Sequence, residues 1–193
     1  FLDTVDTSAY DNPAIPITGS DSAPGMADLI RSMDSQFPGK LFVPNRGFHL
    51  LRGNANDVRA AIDGLLFENF TAVWYSTKLD ANGANIPWYN VNPADSYEAW
   101  WTADMAQQLN RIRYVYNADG TVQRDVNGQP IHSSTFFNVL VHDYALPDQT
   151  ANMQTIVNRA WDYGLIPSMS EKQIESFTYN WLDLVQLPAT SQW

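Results

Sequence analysis

Five short apolar runs, each closing on polar residues, punctuate this chain: Phe1-Leu2-Asp3, Leu41-Phe42-Val43-Pro44-Asn45, Leu65-Leu66-Phe67-Glu68, Val139-Leu140-Val141-His142-Asp143 and Leu165-Ile166-Pro167-Ser168. Each has the length of a buried strand. Side chains alternate along a strand, so Phe1 shares a face with Asp3, Val43 with Asn45, Leu66 with Glu68, Val141 with Asp143, and Ile166 with Ser168. With the apolar members pointing into a barrel, the polar members form a ring at one rim. Helix-like stretches separate the runs, which predicts parallel strands joined by helical crossovers. In a (β/α) barrel the rim at the C-terminal strand ends is where active sites are built. Three carboxylates are then expected at one mouth.

The intervening segments fit that plan. Pro24 is expected to open a helix running to about Phe37, with Met26, Leu29, Ile30 and Met33 at helical spacing and Pro38-Gly39 as the stop. A short helix is predicted from Asn56 to Ile62. Ser96 to about Arg113 and Gln149 to Tyr163 read as longer ones, the latter stopped by Gly164. Ser170-Glu171-Lys172-Gln173 has the pattern of a capping box for a final helix to about Leu184. Between Tyr114 and Ile131, Asp119-Gly120 and Asn127-Gly128 mark turns, so residues 114–131 are expected to be a β-hairpin insertion. Residues 69–95, rich in Asn, Pro and Gly, read as an irregular loop forming a substrate wall.

Composition narrows the function classes. A chain of 193 residues with 45% hydrophobic content can build one ordinary domain with a substantial core. The net charge of -10, with only 11 Lys and Arg, argues against nucleic acid as a partner. No apolar stretch approaches the roughly 18 residues of a membrane span. With no cysteine, disulfides, zinc-thiolate sites and thiol nucleophiles are excluded. His49, His132 and His142 lack the helical spacing of a zinc site, and no phosphate-binding or dinucleotide-binding motif is present. No cofactor is expected.

Read in order, the strings Phe-Leu-Asp-Thr-Val-Asp at 1–6, Leu29-Ile30-Arg31 with Phe37-Pro38, Asn45-Arg46-Gly47-Phe48, Ile62-Asp63-Gly64-Leu65-Leu66-Phe67-Glu68, Val139 to Ala145, and Tyr163-Gly164-Leu165-Ile166-Pro167 resemble one family. They are similar to the endo-α-1,4-polygalactosaminidase-like glycoside hydrolases, family 114 and its bacterial and archaeal relatives, over about residues 1–177. The resemblance implies a TIM-type barrel, action outside the cytoplasm, and hydrolysis of polysaccharides containing α-1,4-linked galactosamine. It also implies that the aspartate ending the fourth strand and the glutamate ending the sixth are catalytic, which here are Asp3 and Glu68. A closed barrel has eight strands. Residues 1–193 are therefore expected to be a single, N-terminally incomplete barrel domain holding strands 4 to 8, the C-terminal five βα units.

Glycoside cleavage needs one carboxylic acid to protonate the leaving oxygen and one carboxylate as nucleophile or base, roles assigned to Asp3 and Glu68. Either reads alternatively as a helix cap or as an ion-pair partner for Arg46. Asp6 competes with Asp3 or orients sugar hydroxyls. Asn45, Arg46, Asp143 and Tyr144 are expected to bind substrate, with Arg46 alternatively closing a structural ion pair and Asp143 alternatively the second catalytic group. Aromatic content of 13% supplies stacking candidates, Trp74 and Tyr75 first, then Trp88 and Tyr89. Trp100, Trp101 and Trp161 lie at helical positions and are expected in the core. The competing reading from another class is a noncatalytic carbohydrate-binding barrel using the same rim.

Overall fold

The computed structural model describes residues 2, 5, 22–79, 81–170, 181–183 and 185, with the side chains of 73–78, 85–88 and 181 excepted. The element order is α1 (Ser22–Gln36), β1 (Gly64–Glu68), β2 (Ala72–Leu79), β3 (Asn85–Val91), α2 (Tyr97–Arg113), β4 (Asn138–Tyr144), α3 (Thr150–Asp162) and β5 (Ile166–Ser170). The fold is mixed α/β. One sheet has the order β1-β4-β5, and β2 and β3 form a separate antiparallel pair. The chain packs as two compact units, Phe1–Phe67 with Ser134–Val139, and Glu68–Ser133 with Leu140–Trp193.

In the first unit the early apolar runs lie side by side and parallel. Leu2 bridges Pro44, and Asn45 bridges Leu66. The N–H of Leu2 donates to Val43 O and that of Asn45 to Leu2 O at 2.7 Å. On the other edge Leu66 N–H donates to Pro44 O and Arg46 N–H to Leu66 O, at 2.8 and 2.7 Å. The expected strand at 41–45 therefore shrinks to Pro44 and Asn45, because Pro44 has no N–H and cannot carry a continuous ladder. The predicted 56–62 helix is reduced to one 3-10 turn, Arg59–Ala61, and a separate 3-10 turn, Phe48–Leu51, precedes it. Seven residues cannot offset the nucleation cost of an α-helix.

Gly47 precedes the first of these turns with φ +75°, and a Cβ built on it would lie 2.7 Å from Val5 Cγ1. The left-handed backbone and the close approach both demand glycine. Arg46 before it is also left-handed, at φ 58°.

In the second unit β4 and β5 pair in parallel, with His142 opposite Ser168, Asp143 opposite Met169 and Tyr144 opposite Ser170. Met169 packs with Ala72, Ala145 and the α3 residues Met153, Ile156 and Val157. Helix α2 starts where the sequence places it: Ser96 Oγ accepts the Ala99 N–H at 3.1 Å, as an N-cap does. At its far end buried Arg113 donates from Nη1 to Asn110 Oδ1 and to Gly164 O. Helix α3 ends at Gly164, φ +67°, as expected of a left-handed stop.

The segment read as an irregular loop is instead the β2–β3 hairpin, whose register sets Trp74 opposite Tyr89 and Tyr75 opposite Trp88. Its Val, Trp, Tyr and Thr residues have strand preference, and the turn residues that suggested a loop sit at Asn82-Gly83, with Gly83 at φ +79°. The insertion after α2 is held by the antiparallel bridges Tyr114–His132, Tyr116–Val122 and Arg124–Pro130, with fully exposed Val126 at its tip. Ser170 is the last residue of β5, and the other capping-box residues, Glu171 to Gln173, lie outside the described residues. Most of the predicted final helix lies outside the described residues, which include a 3-10 turn at Trp181–Asp183.

Gly47→Ala tests the close approach at the first turn. The substitution is expected to cost about 2 to 4 kcal/mol, from left-handed strain plus overpacking against Val5, measured as a fall in the urea midpoint with an unchanged slope.

Candidate active site

Glu68 closes β1 and is half-buried, the only one of the five β1 residues not fully buried. Its backbone turns at once into Asn69, left-handed at φ 57°, whose N–H donates to His142 O at 2.9 Å. The hydroxyl of Tyr144, at the end of β4, donates to Glu68 Oε1. Tyr144 stacks on Tyr89 at 5.5 Å and meets His142 edge to face at 5.3 Å. Tyr89 is fixed in turn from its backbone: its carbonyl accepts from Gln149 Nε2 at 2.8 Å and from Asn152 Nδ2 at 3.1 Å. His142 reaches two β5 hydroxyls, Ser168 Oγ at 3.3 Å from Nδ1 and Ser170 Oγ at 3.0 Å from Nε2.

Four of these side chains belong together by strand register. His142 and Tyr144 alternate onto one face of β4, and their β5 partners Ser168 and Ser170 share it. Burial holds the His142 imidazole below its ordinary range, with the nearby Glu68 charge acting the other way. It is a neutral ring at pH 7, one nitrogen donating and the other accepting, and serine hydroxyls can serve either role. Burial also raises the Tyr144 phenol, as do its hydrogen bond to Glu68 and the Glu68 charge. The phenol stays protonated and remains a donor.

Asp143 points elsewhere. It is fully buried, and Oδ1 accepts the N–H groups of Thr71 at 2.7 Å and Ala72 at 2.8 Å. The reading that put Asp143 on the rim beside Glu68 is corrected: its parity takes it to the face where Met169 packs on α3, and Tyr144 is the β4 residue that meets Glu68. Burial pushes the carboxyl up to about 7, against the opposing pull of the Ala72 and Thr71 amides and of Arg159.

The other expected positions are distributed as follows. Asn45 is buried and Arg46 half-buried within the first unit. Trp74 and Tyr75 are on β2, with side chains outside the described set, and Asp3 and Asp6 lie outside the described residues. His142 and Ser170 are the cluster members that sequence reasoning did not assign to the site, while Ser168 was expected at the rim and Tyr89 as a stacking ring. Their signal was available in the alternation His142-x-Tyr144 beside Ser168-x-Ser170. Among the described residues no group of three or more His, Asp or Glu could hold a metal ion, and no helix is long and apolar enough to cross a membrane.

No protein-family model matches the chain, and no curated protein matches it. Among solved structures it is similar to the glycoside hydrolase domain of PelA from Pseudomonas aeruginosa, with a TM-score of 0.56 at 17% sequence identity. A variant of that domain with one glutamate replaced by alanine aligns with a TM-score of 0.55 at 17% identity. Both alignments cover 90% of this chain and 53% of the other. The chain thus spans about half the length of these structures, and its fold is like that of a glycoside hydrolase domain.

The Asp143 arrangement predicts a pH signature. A carboxyl raised from 3.8 to about 7 by folding favours the folded state fully below about pH 4, an advantage lost as pH rises through 7. Asp143→Asn keeps an acceptor for both amides and removes the titration. Thermal unfolding of the two proteins is expected to converge at pH 4 and diverge towards pH 8, the variant gaining at most about 4 kcal/mol relative to wild type.

Proposed function

We propose that this chain is part of a glycoside hydrolase in which Glu68 is one of two catalytic carboxylates, and that the substrate is a polysaccharide containing α-1,4-linked galactosamine. The observation that carries the reading is the Tyr144–Glu68 contact at the ends of adjacent strands, in a fold like that of a glycoside hydrolase domain. A hydrolytic carboxylate must be held at a fixed angle to the sugar. The phenol does this, and its orientation is itself set by Tyr89 and His142.

The partner carboxylate in this proposal is Asp3, with Asp6 as the alternative, and the architecture is a (β/α) barrel to which this chain contributes strands 4 to 8. The consecutive parallel pairing Leu2–Pro44, Asn45–Leu66 and β4–β5 supports it. Asn45, Arg46, Trp74 and Tyr75 are proposed to contact the glycan, and the action is proposed to be endo and outside the cytoplasm. One carboxyl of the pair protonates the leaving oxygen. The other attacks the anomeric carbon if the two stand about 5 to 5.5 Å apart, or activates water if they stand about 6.5 to 9.5 Å apart.

Reducing-end release from acetylated and de-N-acetylated α-1,4-galactosamine polymers by the full-length protein tests the reading. Glu68→Gln is expected to abolish release with polymer binding retained. Absence of release by the unaltered protein, with binding retained, would instead establish the noncatalytic carbohydrate-binding barrel.

Tyr144→Phe separates positioning from folding. Loss of a hydrogen bond to a charged group is worth about 1.5 to 3 kcal/mol, so kcat is expected to fall about ten- to hundredfold while KM moves less than about twofold. Equal losses in kcat and in folded fraction would show a purely structural role.

A further inference from the structure

A groove of about 800 Å³ lies within the second unit, between the N-terminal turns of α2 and the C-terminal half of α3. Its walls include Asn92, Ala99, Trp100, Ala103, Arg159 and Asp162. Neither Glu68, His142 nor Tyr144 borders it.

Trp100 was expected in the core, and the structure reverses this: the ring is 61% exposed. Tyr97, one helical turn before it, is 69% exposed, and the two rings lie 5.7 Å apart, tilted by 37°. The inward side of α2 is supplied by Ala99, Thr102, Met105, Ala106 and Leu109. The two rings therefore form an aromatic ledge that the fold does not use. The polar wall is also unspent. Asn92 is only 7% exposed, and its Nδ2 has no hydrogen-bond partner. Buried amide donors almost always have one. Arg159, which lines the groove, donates from Nη2 to Ala99 O at 2.8 Å and Thr102 Oγ1 at 3.2 Å and lies over the Phe70 ring at 5.4 Å, so a guanidinium is fixed at the groove wall. Asp162 contributes an exposed acceptor.

A ring-sized apolar face above, with donors and an acceptor at its edges, is the chemistry that recognises a pyranose: C–H faces stack on an indole and hydroxyls pair with amide, guanidinium and carboxylate. We propose that the α2–α3 groove is a second, noncatalytic saccharide site that holds a sugar unit of a polysaccharide against Trp100. The choice of a saccharide as occupant rests on the glycosidase reading. A phosphate-bearing ligand fits less well, given Asp162 and a net charge of -10.

The test uses the full-length protein carrying Glu68→Gln, so that no chain is cut, with an α-1,4-galactosamine hexasaccharide and the corresponding polymer as probes. Trp100→Ala is expected to weaken polymer binding about tenfold, and Trp100→Phe to restore it to within about threefold. In the Glu68 background, Trp100→Ala is expected to leave kcat/KM on a short aryl glycoside unchanged. Polymer binding within about twofold of the parent after Trp100→Ala would overturn the proposal. So would an equal loss on the short substrate, or a Trp100-dependent dimer in sedimentation with no sugar bound. If the unaltered protein releases no reducing ends, the glycosidase reading fails alone, and the binding comparison still decides the groove.

Discussion

One buried carboxylate oxygen organises the second unit. Asp143 Oδ1 accepts two consecutive backbone N–H groups, those of Thr71 and Ala72, just where the chain leaves the turn after Glu68 and enters β2. Thr71 is held from its other side as well, its carbonyl accepting the Asn92 N–H at 2.8 Å. The start of the β2–β3 hairpin is thus tied to the end of β4 through groups that would otherwise be buried donors without acceptors, each a substantial cost. A neutral residue at 143 could satisfy one or both amides, and the carboxylate does so at the expense of its own hydration. Its position on the strand has a geometric consequence. With Asp143 committed to the α3 face, its neighbours His142 and Tyr144 must take the opposite one.

That alternation explains both the success and the failure of the sequence as a guide. β4 and β5 were legible because each is a short apolar run bounded by breakers. α2 and α3 were legible because Ser96 and Gly164 punctuate them. The face of β4 that meets Glu68 was not legible, because both parities of Val141-His142-Asp143-Tyr144 carry polar groups and hydrophobic patterning cannot choose between them. The deciding factor is the pair of long-range hydrogen bonds that Asp143 Oδ1 accepts from the Thr71 and Ala72 N–H groups, which no local pattern encodes. The β2–β3 hairpin was hidden by Asn, Gly and Pro residues that also mark irregular loops, Pro87 lying within β3 itself.

Trp100 and Trp101 make the same point on a helix. Adjacent residues stand about 100° apart around an α-helix, so two neighbouring tryptophans point in different directions. The spacing that suggested burial fits Trp101, which is half-buried, while Trp100 is turned outward beside Tyr97. Only the packed structure distinguishes them, with Ala99 and Thr102 among the buried residues of α2.

The hold on Glu68 differs in kind from the hold on Asp143. Asp143 is fully buried and gripped by backbone donors, which suits a structural anchor. Tyr144 reaches Glu68 with a phenol whose proton is kept in place by burial and by the carboxylate itself. Such a donor orients a carboxylate without cancelling its charge, whereas an arginine in the same place would neutralise it. The neutral His142 edge beside the ring adds polarity without adding a cation. A fully ion-paired carboxylate is held by charge as well as by geometry, which is why the proposed function rests on the Tyr144 contact more than on the acidity of the rim.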